Sequence, residues 1–245
     1  MRPHLPFFAA ASLALSLCLA GAAHAAGDAV VQTAPPEVAV TPPAAATDPE
    51  ARYQALLAAA IASAPQSDWL GLRIAYAQRP SFRAFGQDIA KSEMFKAVEA
   101  GDCARALTEA KSVIAETFVD ADAHLIAAFC DDKLGDAADA LWERDVGMGL
   151  LKSIETGDGL TPGEAFTPID VDEEYALIRA RGLKVTNQAL VQQDGHSYDA
   201  LTTVNDKGES ATYYFLIDRV LANEAAAMKP GAVSEGGPPD RGPGE

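Results

Sequence analysis

The segment KLGDAADA, residues 133–140, decides the fold, because it places a glycine and an aspartate between two apolar stretches. The same Gly-Asp pair stands 34 residues earlier, within EAGDCARA, residues 99–106. Glycine often ends a helix in the left-handed conformation, and aspartate caps the N-terminus of the helix that follows. Each segment therefore predicts a turn between two helices, and the spacing of Gly101-Asp102 and Gly135-Asp136 predicts a helical hairpin that occurs twice.

Outward from these turns, residues 49–156 carry the signals of a helical region. Asp48 and Pro49 start a first helix, since aspartate is a favoured cap and proline a favoured first residue. Pro65 ends this helix, and Ser67 or Asp68 caps a second one. The second helix is predicted to end at Arg79-Pro80. Four more helices are predicted after it, at 81–100, at 103–118, from Asp120 or Asp122 to 134, and at 136–154.

The two hairpins resemble tetratricopeptide repeats, whose unit is a pair of helices of this length. Ala106 and Ala140 occupy the small-residue position in the second helix of each unit, and Ala128 fills the small position of one first helix. Met94 takes that place in the other unit, so the match is degenerate. The resemblance implies a stack of helices whose concave face binds a protein or a peptide.

Residues 157–227 change character and predict a small α+β region. A helix is expected after Asp170 or Asp172, and three antiparallel strands follow, the first two joined by a hairpin turn at Asp194-Gly195. One face of these strands is expected to pack on the preceding helix. The predicted fold class is α+β, with helical hairpins followed by a small antiparallel sheet and one packed helix. The remaining elements are a brief edge strand at 165–169, the helix at 173–182, a turn at 205–208 and a last helix at 219–228.

The N-terminus predicts a cleavable signal peptide over residues 1–25. Arg2 precedes an apolar run over 7–19, and Ala23-His24-Ala25 forms a small-x-small cleavage site. The run is shorter than the roughly 20 residues that a spanning helix needs, and no later stretch is long enough. We therefore expect a periplasmic or secreted protein that does not span a membrane.

Two further segments have the composition of disordered chain, and the whole chain is acidic. Residues 26–48 are rich in proline and alanine, and residues 228–245 are dense in glycine and proline. We predict a disordered linker and a disordered tail. The formal net charge of −16 disfavours nucleic acid and anionic membranes as partners, because both bind cationic patches.

Two cysteines remain after the signal, since Cys18 lies within it. Cys103 begins the fourth predicted helix and Cys130 lies late in the fifth. If these helices are antiparallel, the two cysteines are offset by about one helical turn along the helix axes. An exported protein permits a disulfide between them. The alternative is a pair of buried, reduced cysteines.

Four segments in this order resemble an uncharacterised bacterial group, the domain-of-unknown-function family 4919. They are DAHLIAAFCDDKLGD at 122–136, SIETGDG at 153–159, EEYALIRARGL at 173–183 and QDGHSYDALTT at 193–203. The resemblance covers most of residues 66–218. It implies the same exported layout of helices followed by a sheet, and it brings no activity and no catalytic residue.

The sequence carries no recognised catalytic, cofactor or metal motif, so we predict no cofactor, no metal and no assigned catalytic residue. His196 and Tyr198 share one face of a predicted strand and, with Asp170 and Asp172, form a weak candidate site. His124 is expected to be an interior hydrogen-bonding residue.

We predict the first of the following three functions and keep the other two as alternatives. The first is an exported, non-catalytic module that binds a protein or peptide through its helices. The second is a periplasmic enzyme with a cleft around His196, between the helical and the sheet region. The third is a structural protein of the cell envelope.

Overall fold

Six aspartates begin six helices, each by accepting a hydrogen bond from a backbone N–H in the first turn, which satisfies a group that the helix itself leaves free. The computed structural model describes residues 48–82 and 89–228. It decides between three pairs of predicted caps: the capping residue is Asp68 and not Ser67, Asp120 and not Asp122, and Asp170 and not Asp172. The six capping residues are Asp48, Asp68, Asp102, Asp120, Asp136 and Asp170.

The described elements are mostly helical at first and mixed afterwards. The helices are α1 (Pro49–Ala62), α2 (Trp69–Ala77), α3 (Ile89–Glu99), α4 (Cys103–Glu116), α5 (Ala121–Leu134), α6 (Ala137–Ile154), α7 (Val171–Ala180) and α8 (Asp218–Ala227). The strands are β1 (Lys184–Gln193), β2 (His196–Val204) and β3 (Ser210–Leu216). This order confirms the predicted α+β class.

Several predicted helix boundaries were wrong: the helix expected at 173–182 runs from Val171 to Ala180, and two further differences have a clear cause. The third helix was expected from residue 81, but Ser81 and Phe82 lie outside any helix, because the N–H of Phe82 closes a turn on the carbonyl of Arg79 and its ring packs edge-on against Tyr76. Residues 83–88 of that prediction lie outside the described residues. The fourth helix ends at Glu116 and not at Phe118, whose ring is buried against His124.

Gly101 and Gly135 both adopt the left-handed conformation, with φ of 72° and 92°. They end α3 and α5, and the helices that follow pack back on them: α4 contacts α3, and α6 contacts α5. In addition, α4 packs against α5, so the two helix pairs form one layer. The paired helices are confirmed at both Gly-Asp turns, whereas the tetratricopeptide likeness stays a prediction.

One apolar core joins the helices to the sheet. It contains Leu72 of α2 and Leu150 of α6, and it continues through Leu177 of α7 to Leu201 and Phe215 of the strands. The packing of the sheet on α7 is thereby confirmed. Helices α5 and α6 both contact α7, so α7 joins the helical part of the chain to the sheet.

The sheet has the order β1-β2-β3 and is antiparallel throughout. The outer edge of β3 is covered by the chain itself: the N–H of Phe166 donates to the carbonyl of Tyr214, and the N–H of Tyr214 donates to the carbonyl of Gly159. The strand predicted at 165–169 is reduced to a single parallel bridge from Phe166 to Phe215, because the N–H groups of Ala165 and Thr167 donate to Pro162 and Ile154 instead of to the sheet.

The predicted signal peptide and nearly all of the predicted linker and tail lie outside the described residues. Within the described ranges, no helix combines the length and the apolar character that crossing a bilayer requires.

Candidate functional site

Strand β1 lies at the free edge of the described sheet. Only Val185 and Val191 among its ten residues are partly buried, and the other eight are exposed. Natural proteins protect edges with charges, prolines or bulges. Here one lysine, Lys184, stands at the start of the strand, and one register shift lies between Val185 and Asn187. The stretch from Asn187 to Gln193 carries neither a charge nor a proline.

The hairpin turn determines which backbone groups of β1 point outward. Asp194 and Gly195 have φ of 54° and 84°, as a type I′ turn requires. The residues that flank such a turn, Gln193 and His196, form a hydrogen-bonded pair, and hydrogen-bonded pairs alternate with unbonded ones along an antiparallel ladder. The residues whose N–H and C=O groups point away from β2 are therefore Gln188, Leu190 and Gln192.

His196 lies at the other side of the same turn and is about half exposed. Its Nδ1 donates to Asp218 at 2.6 Å, and the other oxygen of Asp218 accepts from the N–H of Ser197 at 2.8 Å. These two hydrogen bonds, in that order, lower the pKa of Asp218. The ring of His196 also contacts the buried ring of Tyr198. This group ties the start of α8 to the hairpin, beside a shallow depression of about 230 Å³ lined by residues 192–197.

Asp170 and Asp172 have other partners. Asp170 caps α7 by accepting from the N–H of Glu173 at 2.9 Å, and burial followed by the nearby charge of Glu173 raises its pKa to about 8. Asp172 binds Nζ of Lys91 at 2.9 Å. No hydrogen bond or ion pair between described residues joins either aspartate to His196 or Tyr198. The four predicted residues are thus divided between two places in the fold.

A buried acid that was not among the predicted site residues lies between α7 and β2. Glu174 has no exposed surface, and neither of its carboxyl oxygens receives a hydrogen bond from a donor in the described part of the chain. The carboxyl group of Asp199 lies beside it, and a hydrogen bond between the two requires a proton on one of them. Burial, followed by the charge of Asp199, raises the pKa of Glu174 to about 9.

Gln188 connects this acid pair to the edge strand. Its amide nitrogen donates to Asp199 at 2.8 Å, and its amide oxygen accepts from the hydroxyl of Tyr175 at 2.7 Å. The side chain therefore holds β1 against β2 and α7 at the position where its backbone faces outward. No group of three or more histidine, cysteine, aspartate or glutamate side chains within residues 48–82 and 89–228 is arranged to hold a metal ion.

The structure brings the two predicted cysteines into contact. The sulfur atoms of Cys103 and Cys130 are 2.9 Å apart, and both residues are free thiols. Cys103 is the first residue of α4 and is partly exposed, whereas Cys130 is buried in α5.

His124 is confirmed as an interior hydrogen-bonding residue. It has no exposed surface, its Nε2 donates to the carbonyl of Phe118 at 2.8 Å, and its Nδ1 lies 2.5 Å from Oε2 of Glu143. Both ring nitrogens are thereby engaged, and the imidazole joins α6 to the turn between α4 and α5.

Sequence reasoning missed the partners of its own candidates. Asp218, which orients His196, follows 22 residues later, and its only local signal is its place at the start of a predicted helix. Gln188 gave no signal, because a glutamine on an exposed strand is ordinary.

Comparison with known proteins identifies a family to which no activity is assigned. The family described as a domain of unknown function (DUF4919) matches residues 66–226 of the chain. No curated protein and no solved structure matches the chain. The matched residues include the whole sheet and helices α2 to α7, so the edge of β1 lies inside the family's domain.

Proposed function

Since the chain belongs to this family, DUF4919, whose description names no reaction, we propose from its geometry that it is an exported, non-catalytic module that binds a partner protein. The bound segment of the partner is an extended peptide that pairs with the outer edge of β1. The observation that carries the proposal is the contrast between the two edges of the sheet.

The edge of β3 is closed by the chain's own Gly159 and Phe166, whereas β1 is left open among the described residues. The stretch from Asn187 to Gln193 is open, regular and uncharged, which makes it a template for a further strand. Its outward groups come from the three alternate residues Gln188, Leu190 and Gln192. Because each carries one N–H and one C=O, the edge offers about six hydrogen bonds to a peptide.

The expected complex is reversible. A net hydrogen bond contributes about 1 kcal/mol, and the ordering of a free peptide opposes binding. Side chains add selectivity, since Leu190 is 61% exposed on the face that Gln188 shares. Gln188 itself is fixed by Tyr175 and Asp199, so the edge is held in place before the peptide arrives.

The binding surface in this proposal differs from the one that the tetratricopeptide resemblance implies. Helices α5 and α6 expose Phe129, Leu141 and Met148, and that surface stays a prediction. The β1 edge is the more specific candidate, because the positions of its donors and acceptors follow from the register and the turn.

Replacing Leu190 by proline tests the edge. Leu190→Pro removes an outward N–H and fills the edge with a ring, but it leaves the ladder to β2 intact because this N–H takes no part in it. Leu190→Ala is the matched control, since it removes the same side chain and keeps the N–H. Both variants and the original chain, tagged at the C-terminus and expressed at equal levels, are captured from an envelope extract after cross-linking.

We expect the partner to be recovered with the original chain and with Leu190→Ala, and to be lost with Leu190→Pro. A peptide from the cross-linked segment should then slow amide exchange at Gln188, Leu190 and Gln192. Equal recovery with Leu190→Pro would overturn the proposal. Slow exchange at these amides in the isolated chain would also overturn it, if the chain is a dimer or if the slow exchange disappears when residues 26–47 are removed. In either case the edge would be occupied by this chain itself.

Export is tested separately. The leader-like residues 1–25 support cleavage after Ala25, so the exported protein should begin at Ala26 and fractionate outside the cytoplasm. Ala25→Arg should retain the longer precursor, whereas Ala39→Arg in the linker should be processed normally. A full-length chain found in the cytoplasm would contradict export and would leave the β1 test unaffected.

A further inference from the structure

Two thiols from different helix pairs meet in one small apolar cluster. Cys130 of α5 packs with Ala97 of α3 and Ala106 of α4, and Cys103 lies at the border of this cluster. The sulfur atoms are already in contact at 2.9 Å. A disulfide requires a separation of about 2.05 Å between sulfur atoms, so closing the bond needs a movement of less than about 1 Å.

We infer that Cys103 and Cys130 form an intramolecular disulfide when the folded chain meets a disulfide-containing oxidant, and that this bond links α4 to α5. Only the place where this happens, outside the cytoplasm, rests on the proposed function. The bond itself depends on the positions of the two thiols in the fold. Neither cysteine lies on β1, so the disulfide and the binding edge are independent features.

The exposures of the two thiols set the order of the reaction with oxidised glutathione as the oxidant. The thiolate of Cys103, which is partly exposed, attacks one glutathione sulfur and releases the first reduced glutathione, which takes up a proton. Cys130 then loses its proton to solvent, and its thiolate attacks Sγ of Cys103 and breaks the bond to the second glutathione, which leaves as a thiolate and takes up a proton. Two thiols are oxidised to one disulfide, and one glutathione disulfide is reduced to two thiols.

The second step is the slower one on this account. Burial, with the hydrogen bond to Cys103 next, raises the pKa of the Cys130 thiol to about 12. The thiolate of Cys130 is therefore scarce near neutral pH. A mixed disulfide between Cys103 and glutathione should accumulate before the Cys103–Cys130 bond forms.

The bond closes a loop that contains the whole of α4, the turn after it and most of α5. Such a cross-link restricts the unfolded chain, and for a loop of this length it is expected to raise the melting temperature by about 10 °C. The helix pairs on either side of Gly101 and Gly135 would then be joined covalently.

A thiol count tests the inference without any change at the two sites. The full chain with Cys18→Ser, purified under reducing conditions, is incubated with oxidised glutathione and then titrated for free thiols in denaturant. We expect the count to fall from two to none while the chain stays monomeric on a non-reducing gel. Two thiols that persist, or a disulfide-linked dimer, would overturn the inference.

Single variants test the order of the steps. Cys130→Ser should hold one glutathione at Cys103, seen by mass spectrometry, whereas Cys103→Ser should react at least 10-fold more slowly because only the buried thiol remains. Equal rates would show that both thiols are equally accessible and would contradict the buried position of Cys130. The variant with both serines, which should melt at one temperature with and without reductant, is the control for the thermal shift.

Discussion

Arg73 of α2 and Glu173 of α7 form a two-point ion pair inside the core, although 100 residues separate them along the chain. Arg73 has no exposed surface. Its Nε donates to Glu173 at 2.6 Å, and its other nitrogens donate to the hydroxyl of Ser153 and the carbonyl of Thr167. The N–H of Ile169 donates to the same carboxylate. One guanidinium therefore fixes α2, α6 and α7 relative to one another.

Removing one member of this pair should destabilise the fold strongly. Arg73→Met leaves the carboxylate of Glu173 buried without its counter-charge, at a cost of about 3–5 kcal/mol in the free energy of unfolding. Adding Glu173→Met should cost less than the two single changes together, because no charge then remains buried. Urea unfolding measures all three. Arg52→Met, at an exposed site of α1, is the control, and its free energy of unfolding should stay within about 0.5 kcal/mol of that of the original chain. An equally small effect of Arg73→Met would show that the ion pair adds nothing to stability.

The buried carboxyl of Glu174 should make stability depend on pH. Its pKa in the folded chain is about 9, against about 4.3 in an unfolded chain. Between these values the folded state holds the extra proton, so the free energy of unfolding falls as the pH rises. Asp199, Asp170 and Glu173 all add to this shift. Asp170, with its pKa raised to about 8, contributes a fall of the same sign.

Glu174→Gln should remove much of that fall. The amide does not titrate, and its NH₂ group supplies a donor to Asp199 without a shared proton. We expect the loss of stability between pH 5 and pH 8 to shrink by about 1–3 kcal/mol, measured by urea unfolding at both pH values. Glu164→Gln, at an exposed position, should leave the pH dependence unchanged. Parallel curves for Glu174→Gln and the original chain would contradict the buried proton.

The parts of the fold that the sequence predicts are those with local signals. Asp102 and Asp136 cap helices, and Gly101 and Gly135 take the left-handed conformation, because capping and positive φ depend on a few adjacent residues. The hairpin at residues 194–195 follows from the same kind of rule. Helix boundaries fail where a distant contact decides, as when the ring of Phe118 leaves α4 to pack on His124 and Trp142.

The candidate site is less accessible to sequence reasoning because its contacts are not local. Nothing near Arg73 identifies Glu173 as its partner, and nothing near His196 identifies Asp218. The edge of β3 is closed by Phe166, which comes from outside the hairpins, whereas no described residue closes the edge of β1. A rule that predicts three strands does not predict which edge the rest of the chain will cover.

The two histidines of the described chain should respond differently to the same substitution. His124→Leu removes the donor to Phe118 and leaves Glu143, which is 8% exposed, without its partner, at a cost of about 2–4 kcal/mol. His196→Leu breaks an exposed pair with Asp218 and should cost less than about 1 kcal/mol. Thermal or urea unfolding of both variants compares them directly. Equal costs would mean that the buried imidazole contributes no more than the exposed one.

The contact between Gly149 of α6 and Trp69 of α2 leaves no room for a methyl group. A Cβ atom at Gly149 would lie 2.2 Å from the indole nitrogen of Trp69, whereas a Cβ at Gly163 would have no neighbour within 4 Å. Gly149→Ala must therefore displace the indole ring, and we expect it to lower the free energy of unfolding by about 1–3 kcal/mol. Gly163→Ala is the matched control and should be neutral or slightly stabilising, because alanine restricts the unfolded chain more than glycine does. Tryptophan fluorescence should shift for Gly149→Ala alone; an unchanged spectrum together with unchanged stability would show that α2 and α6 do not pack through this pair.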